Sequence, residues 1–210
     1  MKQPLVREKF EWAQIWWDHA EDLRLPRVLL IGDSIACGYS ARVTEQLRGK
    51  AHVDRLGTSR SINDPAFEKE NRYILSEFRY TVIHFNNGLH GKHLSQKAYA
   101  DALRAYVELL RELAPDAALI WATSTPVTQL DNPALPEPVR DAQVVRRNAV
   151  AARIMADFGI PTNDLYQPML GRPELRVADG YHYNTEGQRL QAQAVSKVIR
   201  GLLKNKGEQR

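Results

Sequence analysis

Apolar and polar positions follow one another along this chain in two rhythms. Short apolar runs at residues 28–31, 51–56, 81–85, 117–122 and 160–163 are bounded by Gly, Pro, Asn or Asp and read as strands. Between and after them, residues 35–47, 67–78, 95–113, 139–158 and 184–203 place apolar side chains at helical spacing. Leu103, Tyr106, Val107 and Leu110 form the clearest stripe. Pro115 and Gly159 stop two of these helices, and Thr185 and Gln188 stand at capping-box spacing at the start of the last. Regular alternation of strand and helix predicts a five-stranded parallel sheet with helices on both faces, an α/β fold in one domain over residues 27–204. Residues 1–26 stand apart. Phe10, Trp12, Ile15, Trp16, Trp17 and Leu23 suggest an amphipathic N-terminal helix packed on the domain and ended by Pro26. An aromatic stripe of this kind also suits a subunit contact, which admits a homo-oligomer. Residues 205–210 read as a frayed tail.

In a parallel sheet of this type, ligands bind beyond the carboxyl ends of the strands. Polar clusters gather at those ends: Gly32-Asp33-Ser34, Gly57-Thr58-Ser59, Asn86-Asn87-Gly88, Ser124-Thr125 and Asn163-Asp164. Ser34 falls at a strand-to-helix turn, where its hydroxyl projects past the sheet and its amide belongs to the unpaired donors of a helix N-terminus. The plainer reading is that Asp33 or Ser34 caps the helix. Asp179-Gly180-Tyr181-His182 lies in the loop before the last helix. An Asp and a His three residues apart in a turn can hydrogen-bond, with the carboxylate holding Nδ1–H and leaving Nε2 as a base. The plainer reading here is a capping Asp beside a surface His.

Composition narrows the function classes. The 210 residues, 43% hydrophobic and 26% charged, suit one soluble domain. No apolar run is long enough to span a bilayer and the N-terminus lacks a signal-peptide core, so the expectation is a cytoplasmic protein without membrane partners. The net charge of +4 is spread among interspersed signs apart from short clusters such as Arg146-Arg147, and no basic stripe with interleaved aromatics suggests nucleic acid. The single cysteine, Cys37, excludes an internal disulfide and a multi-cysteine metal site, and its place on a helix face suits a small buried thiol. His90 and His93 lack a third ligand at fitting spacing, so no metal is expected.

Taken together, Gly32-Asp33-Ser34-Ile35, Gly57-Thr58-Ser59, Asn86-Asn87-Gly88-Leu89-His90-Gly91 and Asp179-Gly180-Tyr181-His182 resemble, in order and spacing, the four blocks of the SGNH, or GDSL-type, hydrolases. The resemblance implies a flavodoxin-like three-layer α/β/α sandwich and a serine esterase needing no cofactor. It implies Ser34 as nucleophile, His182 as general base and Asp179 as its orienting carboxylate. It implies an oxyanion hole of the Ser34 and Gly57 amides and the Asn86 side chain. The second block is less glycine-rich than the family's usual loop, so Thr58 or Ser59 are alternative sources of that amide. Asn87, His90 and Arg60 are the candidate substrate-binding residues, and Thr125 is a further rim candidate.

Relatives with similar Asn-Asn-Gly-Leu-His-Gly blocks point to removal of a short acyl group, acetyl first, from a small-molecule or oligosaccharide ester. A lysophospholipase or thioesterase of the same fold is the alternative. A nucleotide- or sugar-binding module is the reading from another class. Against it, the chain has no Gly-x-Gly-x-x-Gly and no Walker-type loop, and the Ser, Asn, Asp and His set is intact.

Overall fold

A computed structural model describes residues 5–207 of the chain. Its centre is a six-stranded sheet made of β1 (Ala13–Trp16), β2 (Arg27–Gly32), β3 (His52–Thr58), β4 (Tyr80–Phe85), β5 (Ala118–Ala122) and β6 (Thr162–Asn163). The spatial order is β1-β3-β2-β4-β5-β6. Five strands run parallel, as the sequence leads one to expect, while β1 adds an antiparallel edge to β3. Helices α1 (Ser34–Leu47), α2 (Pro65–Glu77), α3 (Gln96–Leu113), α4 (Arg140–Asp157) and α5 (Thr185–Gly207) cover both faces.

β2 lies at the heart of the sheet and is buried at every position. Val28 and Leu30 pack with α1 and α5 on one face; Leu29 and Ile31 pack with α2, α3 and α4 on the other. An apolar strand without alternation is what a parallel sheet buried on both faces demands. The reversal of strand order at β2 puts the loops after β2, β3 and β4 side by side at one edge of the sheet.

The N-terminal segment departs from expectation. It is extended through β1, and residues 5–25 contain no helix. Trp, Ile and their neighbours fit a pleated strand, and the open edge of β3 offers backbone partners that an isolated helix would forgo. Ile15 and Trp17 turn toward the core while Trp16 stays 62% exposed. Two smaller corrections concern the last helix. Asn184 caps it, its Oδ1 accepting the Glu186 and Gly187 amides at 3.1 Å each, and the helix runs on to Gly207 into the expected frayed tail. Residues 208–210 of that tail lie outside the described residues.

Candidate active site

Gly32 ends β2 where a side chain could not fit, since a Cβ there would lie 2.7 Å from Ala36 Cβ at the start of α1. Asp33 then caps the helix, its Oδ1 accepting the Ile35 amide at 2.9 Å. The capping role falls to the aspartate, which leaves the Ser34 hydroxyl free for another partner. That partner is His182, whose Nε2 lies 2.8 Å from Ser34 Oγ across 148 residues of chain.

The other ring nitrogen, Nδ1, is 2.6 Å from Asp179 Oδ2. A carboxylate accepts, so Nδ1 carries the proton and Nε2 presents its lone pair to the serine hydroxyl. Asp179 Oδ1 accepts the amides of Tyr181 and His182 at 2.8 Å each. Burial pushes the Asp179 carboxyl up, but those amides and the imidazole outweigh it and hold the group below its ordinary range. The turn depends on Gly180, which has φ +79° and so little room that a Cβ would lie 2.7 Å from the Thr128 carbonyl oxygen. The side chains of His182 and Asp179 are 44% and 43% exposed, so the imidazole is reachable from solvent.

Asn86 follows β4, the strand next to β2 in the sheet. Its Nδ2 donates to the Ala122 carbonyl at 2.7 Å and reaches Ser124 Oγ at 3.2 Å, which fixes the amide plane. Ser124 is itself tied to Asn148 by a pair of 2.9 Å hydrogen bonds. A small pocket of about 20 Å³ lies beside Asn86 and the start of α1, walled by Ile35, Tyr39, Leu89, Ala122 and Leu165.

The loop after β4 is held by a residue that the sequence reading counted only in a short basic cluster. Arg147 is buried, and its guanidinium donates to the carbonyls of Gly88, His90 and Gly91 at 2.9, 2.7 and 2.6 Å. Burial lowers its pKa. The available signal was helical phase: Arg147 shares the buried face of α4 with Val144, Ala151 and Ile154. Tyr99 completes the clamp by donating its hydroxyl to the Asn87 carbonyl at 3.0 Å.

The three candidate substrate-binding residues all have protein partners. Asn87 donates its side-chain amide to the Arg60 carbonyl at 2.9 Å. The Arg60 guanidinium sits between Glu11 and Glu70, 3.2 Å from each. His90 Nδ1 is 2.9 Å from Glu8 Oε1. They join the loops after β3 and β4 to each other and to the N-terminal segment. Gly57 lies inside β3, paired with Gly32 and Gln14, and a Cβ there would come within 2.2 Å of Cys37 Sγ. That contact gives the glycine a packing reason. Cys37 is the other half of it, with burial raising its thiol pKa away from reactivity. Of the alternative amides, that of Ser59 is taken by the Trp12 carbonyl at 3.0 Å.

A serine, an imidazole and a carboxylate in this relay can carry out nucleophilic acyl transfer. The model of the GDSL-like Lipase/Acylhydrolase family matches residues 30–190. The chain belongs to this family. No curated protein sequence matches it significantly. Among solved structures, the fold of this GDSL-like acylhydrolase is similar to three from different organisms. A protein of Slackia heliotrinireducens assigned to the SGNH hydrolases is 19% identical, with a TM-score of 0.63 over 84% of this chain and 100% of that one. A family 3 carbohydrate esterase from Talaromyces cellulolyticus is 16% identical, with a TM-score of 0.68 over 86% and 99%. An acetylxylan esterase from Geobacillus stearothermophilus is 16% identical, with a TM-score of 0.65 over 82% and 93%. Among the described residues of this GDSL-like acylhydrolase no helix is long and apolar enough to cross a membrane, and no three His, Cys, Asp or Glu side chains are grouped to hold a metal ion.

Proposed function

We propose that this enzyme is a serine esterase that removes short acyl groups, acetyl first, from a carbohydrate ester through an acyl-enzyme. The observation that carries the reading is the continuous line from Asp179 through His182 to Ser34 Oγ. Ser34 attacks the ester carbonyl while His182 Nε2 takes its proton. The same proton then passes to the leaving alcohol, and water, activated by His182, releases the acid. Asp179 holds the imidazole in the useful tautomer and stabilises it when charged.

The oxyanion forms next to the Ser34 amide, at the first position of α1, and next to Asn86. Gly57 is the third proposed donor. The Asn86 amide hydrogen on the longer bond, to Ser124 Oγ, is the one proposed to serve the oxyanion, while the shorter bond to the Ala122 carbonyl holds the amide in place. The pocket beside Asn86 has room for about one methyl-sized group, which supports a short acyl chain. Likeness of fold to carbohydrate esterases supports the sugar by analogy.

The test is a fluorophosphonate probe followed by peptide mapping, with hydrolysis of 4-nitrophenyl esters of increasing chain length. The expected result is labelling at Ser34, loss of labelling in Ser34→Ala, and kcat/KM falling from acetate to octanoate. An unlabelled, inactive wild-type protein would refute the reading.

A further inference from the structure

A second cavity, of about 300 Å³, opens between the N-terminal segment and the loops after β3 and β4. Its size is at the lower end for small-molecule sites. Arg7, Glu8 and Glu11 form one wall, and Ser59, Ser61 and Lys92 lie on the other. Most of its charged groups are engaged within the protein. Arg7 pairs with Asp64 at 3.0 Å, Glu11 with Arg60 at 3.2 Å, and Glu8 takes the His90 ring nitrogen at 2.9 Å.

Lys92 is different. Its Nζ lies 3.3 Å from the Tyr181 hydroxyl, a neutral group, and among the described residues no carboxylate is within 4.0 Å of it. Arg140 approaches the same hydroxyl from the start of α4, with its Nη1 at 3.0 Å. Arg140 has Glu137 at 3.3 Å; Lys92 has no such partner. Two cations therefore meet at one hydroxyl oxygen, and of the two only Arg140 has a carboxylate beside it, which leaves exposed Lys92 open to a further anion. Lys92 lines the cavity and reaches the hydroxyl of Tyr181, the residue immediately before His182, so one side chain links the cavity wall to the loop that carries the relay.

We propose that the cavity seats the alcohol half of the ester and that this alcohol carries an acidic group, a carboxylate or a phosphate, bound by Lys92 and Arg140. The proposal rests on the esterase reading and adds to it the charge of the substrate. Lys92 supplies the uncompensated charge and Arg140 a planar donor fork. Both side chains contact the substrate away from the scissile bond, so their contribution is to KM before kcat.

The experiment compares kcat/KM for mono-acetylated glucose, glucuronic acid and glucose 6-phosphate. The expected result is at least a tenfold preference for one of the two acidic esters over the neutral one, weakening with added salt. Whichever acid is preferred identifies the group. In Lys92→Gln and Arg140→Gln the acidic-to-neutral ratio should fall about tenfold, through KM. A wild-type ratio near one, or a ratio that the two variants leave alone, overturns the proposal while leaving the esterase reading intact. Calorimetric titration of free glucuronate and glucose 6-phosphate into wild type and Lys92→Gln tests the anion seat without turnover. Binding weakened about tenfold in the variant supports the seat even if no ester is hydrolysed. Equal binding, or none to either protein, refutes it.

Discussion

The two walls that flank Ser34 are built by opposite means. One wall, the turn at Asp33 and the loop at 179–182, is held mainly by contacts within a few residues. Asp33 bonds to the amide two residues on, and Asp179 to those two and three residues on. The other wall, the loops after β3 and β4, is held by partners far away in sequence. Arg147 reaches back 56 to 59 residues, and Glu8 binds a histidine 82 residues away. The first wall bears the acyl-transfer relay, with His182 and Asp179 half-exposed; the second is polar and anchored by buried residues such as Ser59, Ser61, Asn87 and Arg147. Placement of the reacting atoms is local and stiff, whereas the surface facing the substrate depends on the assembled fold.

If that division holds, substitutions in the first wall should remove turnover and spare stability. The largest effect is expected at Ser34 and His182, where alanine should cost on the order of 10⁶ in kcat if the full serine-hydrolase pattern applies. Asp179→Asn should cost up to ~10⁴, because the wrong imidazole tautomer faces the serine. Thermal melts of all three should stay close to wild type. Melting points that fall along with activity would show the relay to be structural. Asn86→Ala comes next, with a loss on the order of 10²–10³ in kcat at nearly constant KM; wild-type turnover would remove its oxyanion role.

The second wall should respond in the reverse sense. Arg147→Met leaves the carbonyls of Gly88, His90 and Gly91 without their buried donor. A loss of about 3 kcal/mol is expected, or a melting point lower by about 6–12 °C. Turnover should fall only on the order of tenfold, through misplacement of Asn86. A melting point that does not move would contradict the clamp.

The same contrast explains what could be read from the chain alone. Ser34, Asp179 and His182 each sit in a short block whose turn residues carry their own signal, so the blocks and the parallel sheet were legible. Arg60, Asn87 and His90 lie in the loops after β3 and β4, and their partners, Glu11, Glu70, the Arg60 carbonyl and Glu8, belong to pairings that no local pattern encodes. The N-terminal segment was misread for a related reason. Its aromatic spacing fits a helix as well as a strand, and only the vacant edge of β3 decides between them. Arg147 could have been found by noticing a charge on the apolar face of a helix, which calls for buried acceptors.

The smallest effect separates two histidines at this end of the sheet. His182 is reachable and paired with a carboxylate, whereas His84, in β4, is fully buried with Nε2 at 3.1 Å from Asn163 Nδ2. Burial lowers the His84 pKa to about 3. A histidine lowered in the folded state binds its proton more readily when unfolded, at about 6.5. Its stabilising effect is therefore complete above pH 6.5 and shrinks as the pH falls toward 3. Between pH 7.5 and 5 the loss should be about 2 kcal/mol. Asp179 does not interfere in that window: its lowered carboxyl stabilises the fold at every pH above the unfolded value near 4. Urea midpoints for wild type and His84→Gln at the two pH values isolate the term, and the variant should lose about 2 kcal/mol less on acidification. The same loss in both proteins would mean that His84 is already protonated in the fold, and the distinction between a histidine that reacts and one that only packs would fail.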